Sequence, residues 1–485
     1  MTLAGRFYPG FCGFAGGAAH GGPRGKDYDC GFVEPARTAA PARGQSARVN
    51  GARRMTEHMT DLHWTIYLLL AICVFACVQG LIGLFAGIGF VRYVARAVRE
   101  SAGLRDAAGK WKYEPRVTVI LPCCGVDERL HQTVERLGRQ RYGAYEVIFT
   151  FESADDPAHE AVRRWAAAWP GVRHRSVVAG PTGHRSQKIH NLLAAVAAVP
   201  DETEVLVFLD SDAVPNQDWL GHIVAPLADE AVGAATGFRW YCAAGGLANA
   251  VRSVWNAPSL TLMEREATRF CWGGATAMRR ARFESLEIAR HWESALSDDL
   301  QVTQAVKAAG LRIVFVPQAL IPSHDSTSLR GFWEFARRQL VITRICAPKI
   351  WRAGLLLCTA FVGGGTIAAV LCVGAALEWF GTAALAAAAG VLWALIVLLT
   401  VARCALRQVA IRKVLHAPDV TWRDALADVS GALWAGLIHM TLFQASMAGR
   451  RIRWRHIEYE LVSPTQTRVL ARHALSGSAQ QGPGS

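Results

Sequence analysis

Two carboxylates separated by one residue follow an apolar run in the middle of the chain. Residues 205–209 read Val-Leu-Val-Phe-Leu, and Asp210-Ser211-Asp212 comes directly after them. Such a run is typical of a buried strand, and ligands of open α/β sheets bind at the carboxyl ends of strands. Carboxylates at this spacing suit a hard divalent cation, Mg²⁺ or Mn²⁺, that also holds a diphosphate. The alternative is a polar turn in which an aspartate caps the next helix.

A second group of acidic residues follows an earlier apolar run. Residues 146–151 are followed by Glu152, and Asp155 and Asp156 stand before a proline. Acceptor oxygens at a strand end suit the imide N–H of a uracil or a ribose hydroxyl. An aspartate before proline also commonly begins a helix, so a capped turn is the alternative.

A third acidic pair opens a helical pattern. Asp298 and Asp299 follow Ser297 and precede apolar residues at helical spacing. We expect Asp298 to cap this helix. Two adjacent carboxylates raise each other's pKa, which suits a general base that must deprotonate a hydroxyl.

Two further segments carry residues suited to ligand binding. The paired glycines of Trp272-Gly273-Gly274 allow backbone to come close to a ligand, or they form a simple tight turn. The guanidinium groups of Arg337-Arg338-Gln339 suit a departing diphosphate. They also suit the positive flank of a transmembrane helix, and for Arg337 we favour the flank.

Strand and helix patterns alternate in the polar block 92–352. Short apolar runs predict buried strands at 117–121, 146–151 and 205–209, and helical patterns lie between them at 130–139 and 159–169. This alternation predicts an α/β domain with crossover helices and a mostly parallel sheet. We place the domain at residues 110–330.

Long uncharged stretches flank this domain. Residues 64–91 carry no Asp, Glu, Lys or Arg, and residues 353–402 are interrupted only by Glu378, so we predict one transmembrane helix and one transmembrane hairpin. Arginines follow the first span and flank the hairpin, which predicts a cytoplasmic location for the polar block. The other predicted segments are a disordered leader (1–60), an interfacial segment (331–352), a cytoplasmic loop (403–428), a transmembrane or re-entrant helix (429–449) and a C-terminal tail (450–485).

Composition limits the classes of function. The chain has 485 residues, of which 52% are hydrophobic and 19% charged, and this excludes a mainly disordered protein. The net charge of +13 fits cytoplasmic membrane flanks. The polar block lacks a basic stripe interleaved with aromatic residues, so we expect no nucleic-acid partner. Twelve cysteines without a CxxC pair indicate a reducing compartment.

The motifs as an ordered set resemble family 2-type inverting glycosyltransferases, and most closely the ceramide glucosyltransferase-like branch (family 21-like). The resemblance covers about residues 60–470. The matching segments are Val119-Ile-Leu-Pro122, Asp155-Asp-Pro-Ala158, Gln187-Lys-Ile-His-Asn191, Asp210-Ser-Asp212, Trp272-Gly-Gly274, Leu296-Ser-Asp-Asp299, Val314-Phe-Val-Pro317 and Trp454-Arg455.

This resemblance implies a nucleotide-sugar-binding α/β domain of the GT-A kind on the cytoplasmic face of the inner membrane. It also implies a role for each site residue. Asp210 and Asp212 hold a divalent cation and the diphosphate, and Asp299 acts as the base. The remaining implied roles are nucleotide-sugar binding by Glu152, Asp155, Asp156, Lys188 and Asn191, catalysis with Asp298 and Arg338, and acceptor contact by Trp272, Gly273, Gly274 and Gln339.

One element departs from the family pattern. The family carries a Gln/Arg-x-x-Arg-Trp element, and the best match is residues 335–339, which keep Arg338 and replace the leading polar residue and the Trp. The implied reaction is transfer of a hexose from a nucleotide sugar, UDP-linked by expectation, to a ceramide-, diacylglycerol- or hopanoid-like lipid. The alternatives are a processive polysaccharide synthase, a polyprenyl-phosphate sugar synthase, and a membrane transporter or binding protein without catalysis.

Overall fold

The fold is built around one seven-stranded sheet. The computed structural model describes residues 43–474, except positions 128, 170, 244, 380 and 415–420. The strands are β1 (Val117–Pro122), β2 (Tyr145–Phe151), β3 (Arg173–Val178), β4 (Val205–Leu209), β5 (Val232–Tyr241), β6 (Ala275–Arg279) and β7 (Arg312–Ser323). Their order is β3-β2-β1-β4-β6-β5-β7, with β6 antiparallel to both of its neighbours and the other pairs parallel. The predicted α/β class with a mostly parallel sheet is confirmed, and the three predicted strands are β1, β2 and β4.

Helices cover both faces of this sheet. Val119 and Leu121 of β1 point into one core and Ile120 points into the other, because successive strand residues alternate between faces. Both cores are apolar, which explains why the strands read as continuous apolar runs. The helices up to the last strand of the sheet are α1 (Arg43–Ser101), α2 (Leu130–Leu137), α3 (Pro157–Ala166), α4 (Gln187–Ala197), α5 (Trp219–Val224), α6 (Leu247–Thr261), α7 (Arg280–Ser285), α8 (Ile288–Trp292) and α9 (Asp298–Ala308).

Long apolar helices precede and follow the sheet domain along the chain. After β7 the chain forms α10 (Leu329–Cys346), α11 (Pro348–Ala376), α12 (Ala383–Arg412) and α13 (Trp422–Ala445). Within the described ranges, three helices are long and apolar enough to cross a membrane: His63–Leu104, α11 and α12. The two halves of α13, Trp422–Ala432 and Trp434–Ala445, meet at 68°. The protein is therefore a membrane protein, and the spanning or re-entrant character of 429–449 stays a prediction.

The predicted leader is helical in its described part. Residues 1–42 lie outside the described residues, and residues 43–60 form the beginning of α1. The expectation of disorder is wrong for residues 43–60. The reason is compositional, since Ala, Arg and Met favour the helix and this stretch continues directly into the apolar span.

The predicted C-terminal tail contains a small sheet. Strands β8 (Arg451–Trp454), β9 (Ile457–Ser463) and β10 (Gln466–Arg472) form an antiparallel sheet in the order β10-β9-β8. Ile457, Tyr459 and Leu461 alternate with more exposed residues and pack against α10. Such a period of two is typical of a half-buried strand. The segment 450–485, predicted as a C-terminal tail, thus contains a folded sheet over residues 451–472.

Candidate functional site

A cavity of about 520 Å³ lies at the carboxyl ends of β1, β2 and β4. This volume is typical of a small-molecule site. The sequence-predicted residues that line it are Glu152, Lys188, Asn191, Asp210, Asp212, Trp272, Arg338 and Gln339. The predicted residues outside its lining are Asp155, Asp156, Gly273, Gly274, Asp298 and Asp299.

Lys188 connects the end of β4 to the start of α9. Its Nζ lies 3.0 Å from Asp210 Oδ1 and 3.1 Å from Asp298 Oδ2, and it donates a hydrogen bond to the Gly273 carbonyl at 3.1 Å. Burial by itself lowers the pKa of an ammonium group, but the carboxylates of Asp210 and Asp298 raise the pKa of Lys188 above its usual range. Lys188 therefore stays charged and holds the two acids together.

Asp212 is held by Arg239 of β5. Arg239 Nη1 donates to Asp212 Oδ2 at 2.8 Å, Nη2 donates to Oδ1, and Nη2 also lies 3.5 Å from Asp210 Oδ2. Burial tends to raise the pKa of the Asp212 carboxyl, but the guanidinium of Arg239 lowers this pKa below its usual range. Both carboxylates of the Asp-x-Asp pair therefore face cations.

The Asp210–Asp212 pair fits a divalent cation that arrives with a phosphate ligand. Magnesium is commonly bound through one or two carboxylates together with substrate phosphates and waters. The described residues contain no group of three or more His, Cys, Asp or Glu side chains arranged as a metal centre. A cation would take its remaining ligands from the diphosphate and water, and Arg239 would have to release an oxygen of Asp212.

The residue that caps α9 is not the one predicted from the acidic pair at its start. Ser297 is the N-cap, because its hydroxyl accepts the N–H of Leu300. Asp298 turns to Lys188 and is buried, and burial raises the pKa of its carboxyl to about 6. Asp299 accepts the N–H of Leu300 at 2.8 Å and the hydroxyl of Ser297. The predicted capping role of Asp298 is wrong, since the helix begins one residue earlier than expected and its cap is the preceding serine.

Of the three acidic residues after β2, one lines the cavity and two do not. Glu152 lines the cavity and pairs with Arg472. Asp156 is the N-cap of α3, accepting the N–H of Ala158 at 2.8 Å, and it also accepts the N–H of Gly125 at 3.0 Å. Asp155 is exposed. The structure thus brings Glu152 to the cavity, while Asp156 fixes the loop after β1.

The paired glycines allow the acids to pack against the backbone. A Cβ on Gly273 would lie 2.6 Å from Asp298 Oδ2, and one on Gly274 would lie 2.6 Å from Asp210 Oδ2. Contacts this short require the carboxylates to shift, so a side chain at either position would displace the acids. The N–H of Gly273 also donates to Asp299 Oδ2 at 3.4 Å. The close approach that the sequence predicts is made by the acidic side chains.

Arg338 reaches the cavity from α10. Its guanidinium carbon lies 5.5 Å from the ring centroid of Phe335 and 5.6 Å from that of Trp454. Within the described part of the chain it forms no ion pair, and burial lowers the pKa of its guanidinium to about 10. Its Nη1 donates to the carbonyl of Arg453 at 3.3 Å, and the neighbouring Arg337 donates from Nε to the carbonyl of Ala445 at 3.0 Å. A half-buried cation without an acidic partner is suited to an anionic ligand.

Several cavity residues were given no role from the sequence. Arg239 carried one signal in the sequence, because it is the one charged residue in the run Val232–Tyr241. Arg455 and His456 lie in the two-residue turn between β8 and β9, and Arg455 pairs with Asp127 at 3.1 Å. The other cavity residues without a predicted role include Arg129, Arg252 and Asp325.

The chain is similar to known glycosyltransferases in sequence and structure. Residues 69–467 match the sequence profile described as "Glycosyl transferase family 21". Two relatives from Caenorhabditis elegans are "Ceramide glucosyltransferase 3", 33% identical over 81 residues, and "Ceramide glucosyltransferase 1", 31% identical over 84 residues; each match covers 17% of this chain and 18% of the relative. Among solved structures, the "Mannosyltransferase PcManGT from Pyrobaculum calidifontis in complex with GDP-Man and Mn2+" is 20% identical with a TM-score of 0.38, over 78% of this chain and 97% of that one. The profile match confirms the resemblance that the motifs indicated: the chain is a glycosyltransferase and belongs to glycosyl transferase family 21.

Proposed function

We propose that this enzyme transfers a hexose from a nucleotide sugar to the hydroxyl of a membrane lipid, with inversion at the anomeric carbon. The observation that carries the proposal is the set of charged groups in the cavity lining. This lining contains the carboxylates of Asp210 and Asp212 and also Arg338, which forms no ion pair with the described residues. An anionic diphosphate that brings its own divalent cation suits both kinds of group.

The donor is proposed to be UDP-linked and to bind across the strand ends. Asp210 and Asp212 would hold Mg²⁺ or Mn²⁺, and this cation would neutralise the charge that develops on the leaving diphosphate. Arg338 is proposed to contact the diphosphate, and Glu152 and Asn191 are proposed to contact the nucleoside; all three line the cavity. Lys188 is a positioning residue that holds Asp210 at 3.0 Å.

Asp299 is the proposed general base. Lys188 neutralises Asp298, while Asp299 has no cation within ion-pair distance among the described residues. The N–H of Leu300 and the hydroxyl of Ser297 orient the Asp299 carboxylate. The acceptor hydroxyl gives its proton to Asp299 as its oxygen bonds to the anomeric carbon, and the bond to the diphosphate breaks on the opposite face. Displacement of this kind inverts the anomeric centre.

The acceptor is proposed to be a ceramide-, diacylglycerol- or hopanoid-type lipid. The two curated relatives are ceramide glucosyltransferases, of whose length the matches span less than a fifth. Helix α10 contributes Phe335, Arg338 and Gln339 to the cavity and is followed directly by the membrane-length helix α11. A lipid hydroxyl at the membrane surface would therefore be near the donor. Arginines beside the apolar helices favour the cytoplasmic face of the inner membrane.

The test is transfer by purified protein in lipid nanodiscs. Labelled UDP-glucose, UDP-galactose and UDP-N-acetylglucosamine are supplied with Mn²⁺ and with ceramide or diacylglycerol in the bilayer. Mass spectrometry identifies the product, and NMR gives its anomeric configuration. We expect a single hexose on a lipid hydroxyl, in the inverted configuration. A long polymer, a sugar on a lipid phosphate, or a retained configuration contradicts the proposal.

A further inference from the structure

A carboxylate without a role in the proposed donor site lies beyond strand β7. Asp325 stands two residues after the end of β7 and lines the cavity. Strands β4, β5 and β7 end at the same edge of the sheet, because β6 is antiparallel to β4 and β5, and β7 is parallel to β5. In the strand order β7 is three positions from β4, which at about 4.8 Å per strand is on the order of 14 Å. Asp325 therefore lies on the side of Asp210 that faces away from β1 and β2, where the nucleoside is proposed to bind.

Arg252 of α6 fixes the position of this carboxylate. Its Nη1 donates to Asp325 Oδ2 at 2.6 Å, and its Nη2 donates to the carbonyl of Asp325. The buried guanidinium of Arg252 lies over the ring of Tyr241, 4.3 Å from the centroid. The guanidinium of Arg239, which holds Asp212, lies 5.9 Å from the same centroid. Two arginine–aspartate pairs thus contact one aromatic ring, so a ligand bound at Asp325 would lie near the proposed metal site.

One oxygen of Asp325 is an acceptor without a donor. Oδ2 is bound to Arg252, whereas Oδ1 is buried and accepts no hydrogen bond from the described residues. A buried carboxylate oxygen that lacks a donor costs free energy unless a ligand supplies one. Because a carboxylate only accepts hydrogen bonds, the ligand group that suits this position is an N–H or an O–H.

A row of aromatic side chains leads from this part of the cavity to α13. Tyr241 and Phe335 line the cavity with ring centroids 5.9 Å apart, and the ring of Trp255 lies 5.6 Å from that of Phe335. On its other contact Trp255 stacks with the ring of His439 in α13 at 6.3 Å. Aromatic rings offer a large apolar surface. Such surroundings suit a ligand with a polar head and an apolar body, as the proposed lipid acceptor has and a nucleotide sugar lacks.

We propose that Asp325, held by Arg252, determines acceptor specificity by accepting a hydrogen bond from a second N–H or O–H group of the lipid, next to the hydroxyl that receives the sugar. This inference rests on the proposed function. A ceramide-type lipid carries two such groups, its amide N–H and its secondary hydroxyl. A diacylglycerol carries none, because the esters beside its hydroxyl only accept hydrogen bonds, and a hopanoid-type alcohol qualifies when it has a second hydroxyl. Arg252 acts on the lipid through Asp325 and is a positioning residue.

The experiment compares two acceptors with the full chain in lipid nanodiscs. Ceramide and diacylglycerol of matched chain length are supplied separately, with whichever of the labelled UDP-sugars is transferred. For the wild type we expect kcat/KM for ceramide to exceed that for diacylglycerol at least about tenfold, because a site built to hydrogen-bond a group rejects the analogue without it. N-methylceramide and 3-O-methylceramide keep the reacting hydroxyl and lose one donor each, and at least one of them should show a similar loss.

The role of the residue itself is tested with Asp325→Asn. The single amide oxygen of asparagine pairs with Arg252, which leaves an NH₂ group to face the donor of the lipid. We therefore expect the preference for ceramide to fall below about threefold while the KM for the nucleotide sugar stays unchanged. The control is Asp218→Asn, which changes an aspartate of similar exposure, 31% against 27%, that pairs with Arg105 and does not line the cavity. This variant should keep the full preference.

The outcomes separate the inference from the proposed function. Equal transfer to ceramide and diacylglycerol by the wild type, or a full preference in Asp325→Asn, overturns the inference. A raised KM for the nucleotide sugar with unchanged preference means that Asp325 contacts the donor, and this also overturns it. If no lipid hydroxyl receives a sugar, the proposed function itself fails. Should Asp325→Asn not fold, as judged by its melting temperature, Asp325→Ala takes its place with the same expectations, and full wild-type activity on both methylated ceramides overturns the inference.

Discussion

Arg239 holds both carboxylate oxygens of Asp212, and it does so from the buried interior of β5. The guanidinium lies over the ring of Trp272, 5.3 Å from its centroid, and is 7% exposed. The oxygens that a divalent cation would use are thus covered by a cation of the protein. Binding of metal and donor therefore involves a competition between Arg239 and the metal for Asp212.

Removing this competitor should strengthen metal binding in the absence of donor. For Arg239→Gln we expect Mn²⁺ affinity to rise about tenfold, since hydrogen bonds to charged groups contribute about 1.5–3 kcal/mol each. Electron paramagnetic resonance of free Mn²⁺ measures this affinity without any turnover. The control is Arg279→Gln, another largely buried arginine that pairs with Glu230. Weaker or unchanged Mn²⁺ binding in Arg239→Gln would contradict the proposed competition between Arg239 and the metal for Asp212.

Asp212 itself should be indispensable for transfer. We expect Asp212→Asn to abolish turnover while the protein stays folded and bound to membranes, because the amide cannot replace a carboxylate as ligand of a hard cation. Turnover and melting temperature of the purified variant are the measurements. Near-normal turnover would remove the metal-binding role of this residue.

Local sequence patterns predicted part of this site, but they did not predict the ion pairs between residues far apart in the sequence. Asp210 and Asp212 were found because they follow an apolar strand whose pattern lies within a few residues. The partners of Asp212 and Glu152 are 27 and 320 positions away, and nothing in the local sequence points to them. The alternation at Ile457, Tyr459 and Leu461 is a readable strand signal within the segment predicted as a C-terminal tail. The cap of α9 was misplaced by one residue, which is the usual uncertainty of a helix end.

Asp298 and Asp299 should affect different kinetic constants. Asp299→Asn is expected to lower turnover by about 10²–10⁴-fold, the typical contribution of a general base, with the KM for the donor nearly unchanged. Asp298→Asn should mainly raise the donor KM, since Lys188 loses one of its two carboxylate partners and with it the fixed position of Asp210. Steady-state kinetics with varied nucleotide sugar separates the two. If Asp298→Asn abolishes turnover and Asp299→Asn only destabilises the fold, the base is Asp298.

The raised pKa of Asp298 predicts a pH dependence of stability. Burial raises the pKa of this carboxyl from 3.8 to about 6, against the opposing effect of Lys188. The folded protein therefore binds the proton more tightly than the unfolded chain, and the stabilisation is complete below pH 3.8 and lost as the pH rises through about 6. We expect the melting temperature of the wild type relative to Asp298→Asn to fall between pH 4 and pH 7. A constant difference over this range contradicts the burial of an ionisable Asp298.

Two adjacent arginines of α10 offer a matched test of the anion site. Arg338 lines the cavity near the rings of Phe335 and Trp454 and donates to the carbonyl of Arg453 at 3.3 Å. Arg337 does not line the cavity and donates to the carbonyls of Ala445 and Ala448 at 3.0 and 3.4 Å. The two substitutions remove the same charge, so a difference between them reports on local contacts. Because Arg338 is proposed to contact the diphosphate, Arg338→Gln should weaken UDP binding about tenfold or more and weaken UMP binding less.

Arg337→Gln should leave both nucleotide affinities unchanged and cost about 1 kcal/mol of stability for its lost hydrogen bonds. Calorimetry with UDP and UMP, together with melting temperatures, distinguishes the two variants. Equal effects of Arg337→Gln and Arg338→Gln on UDP would mean that the net charge of α10, and no specific contact, attracts the nucleotide. The two arginines have the same charge and different contacts. A larger loss of UDP affinity in Arg338→Gln than in Arg337→Gln therefore places the diphosphate at Arg338.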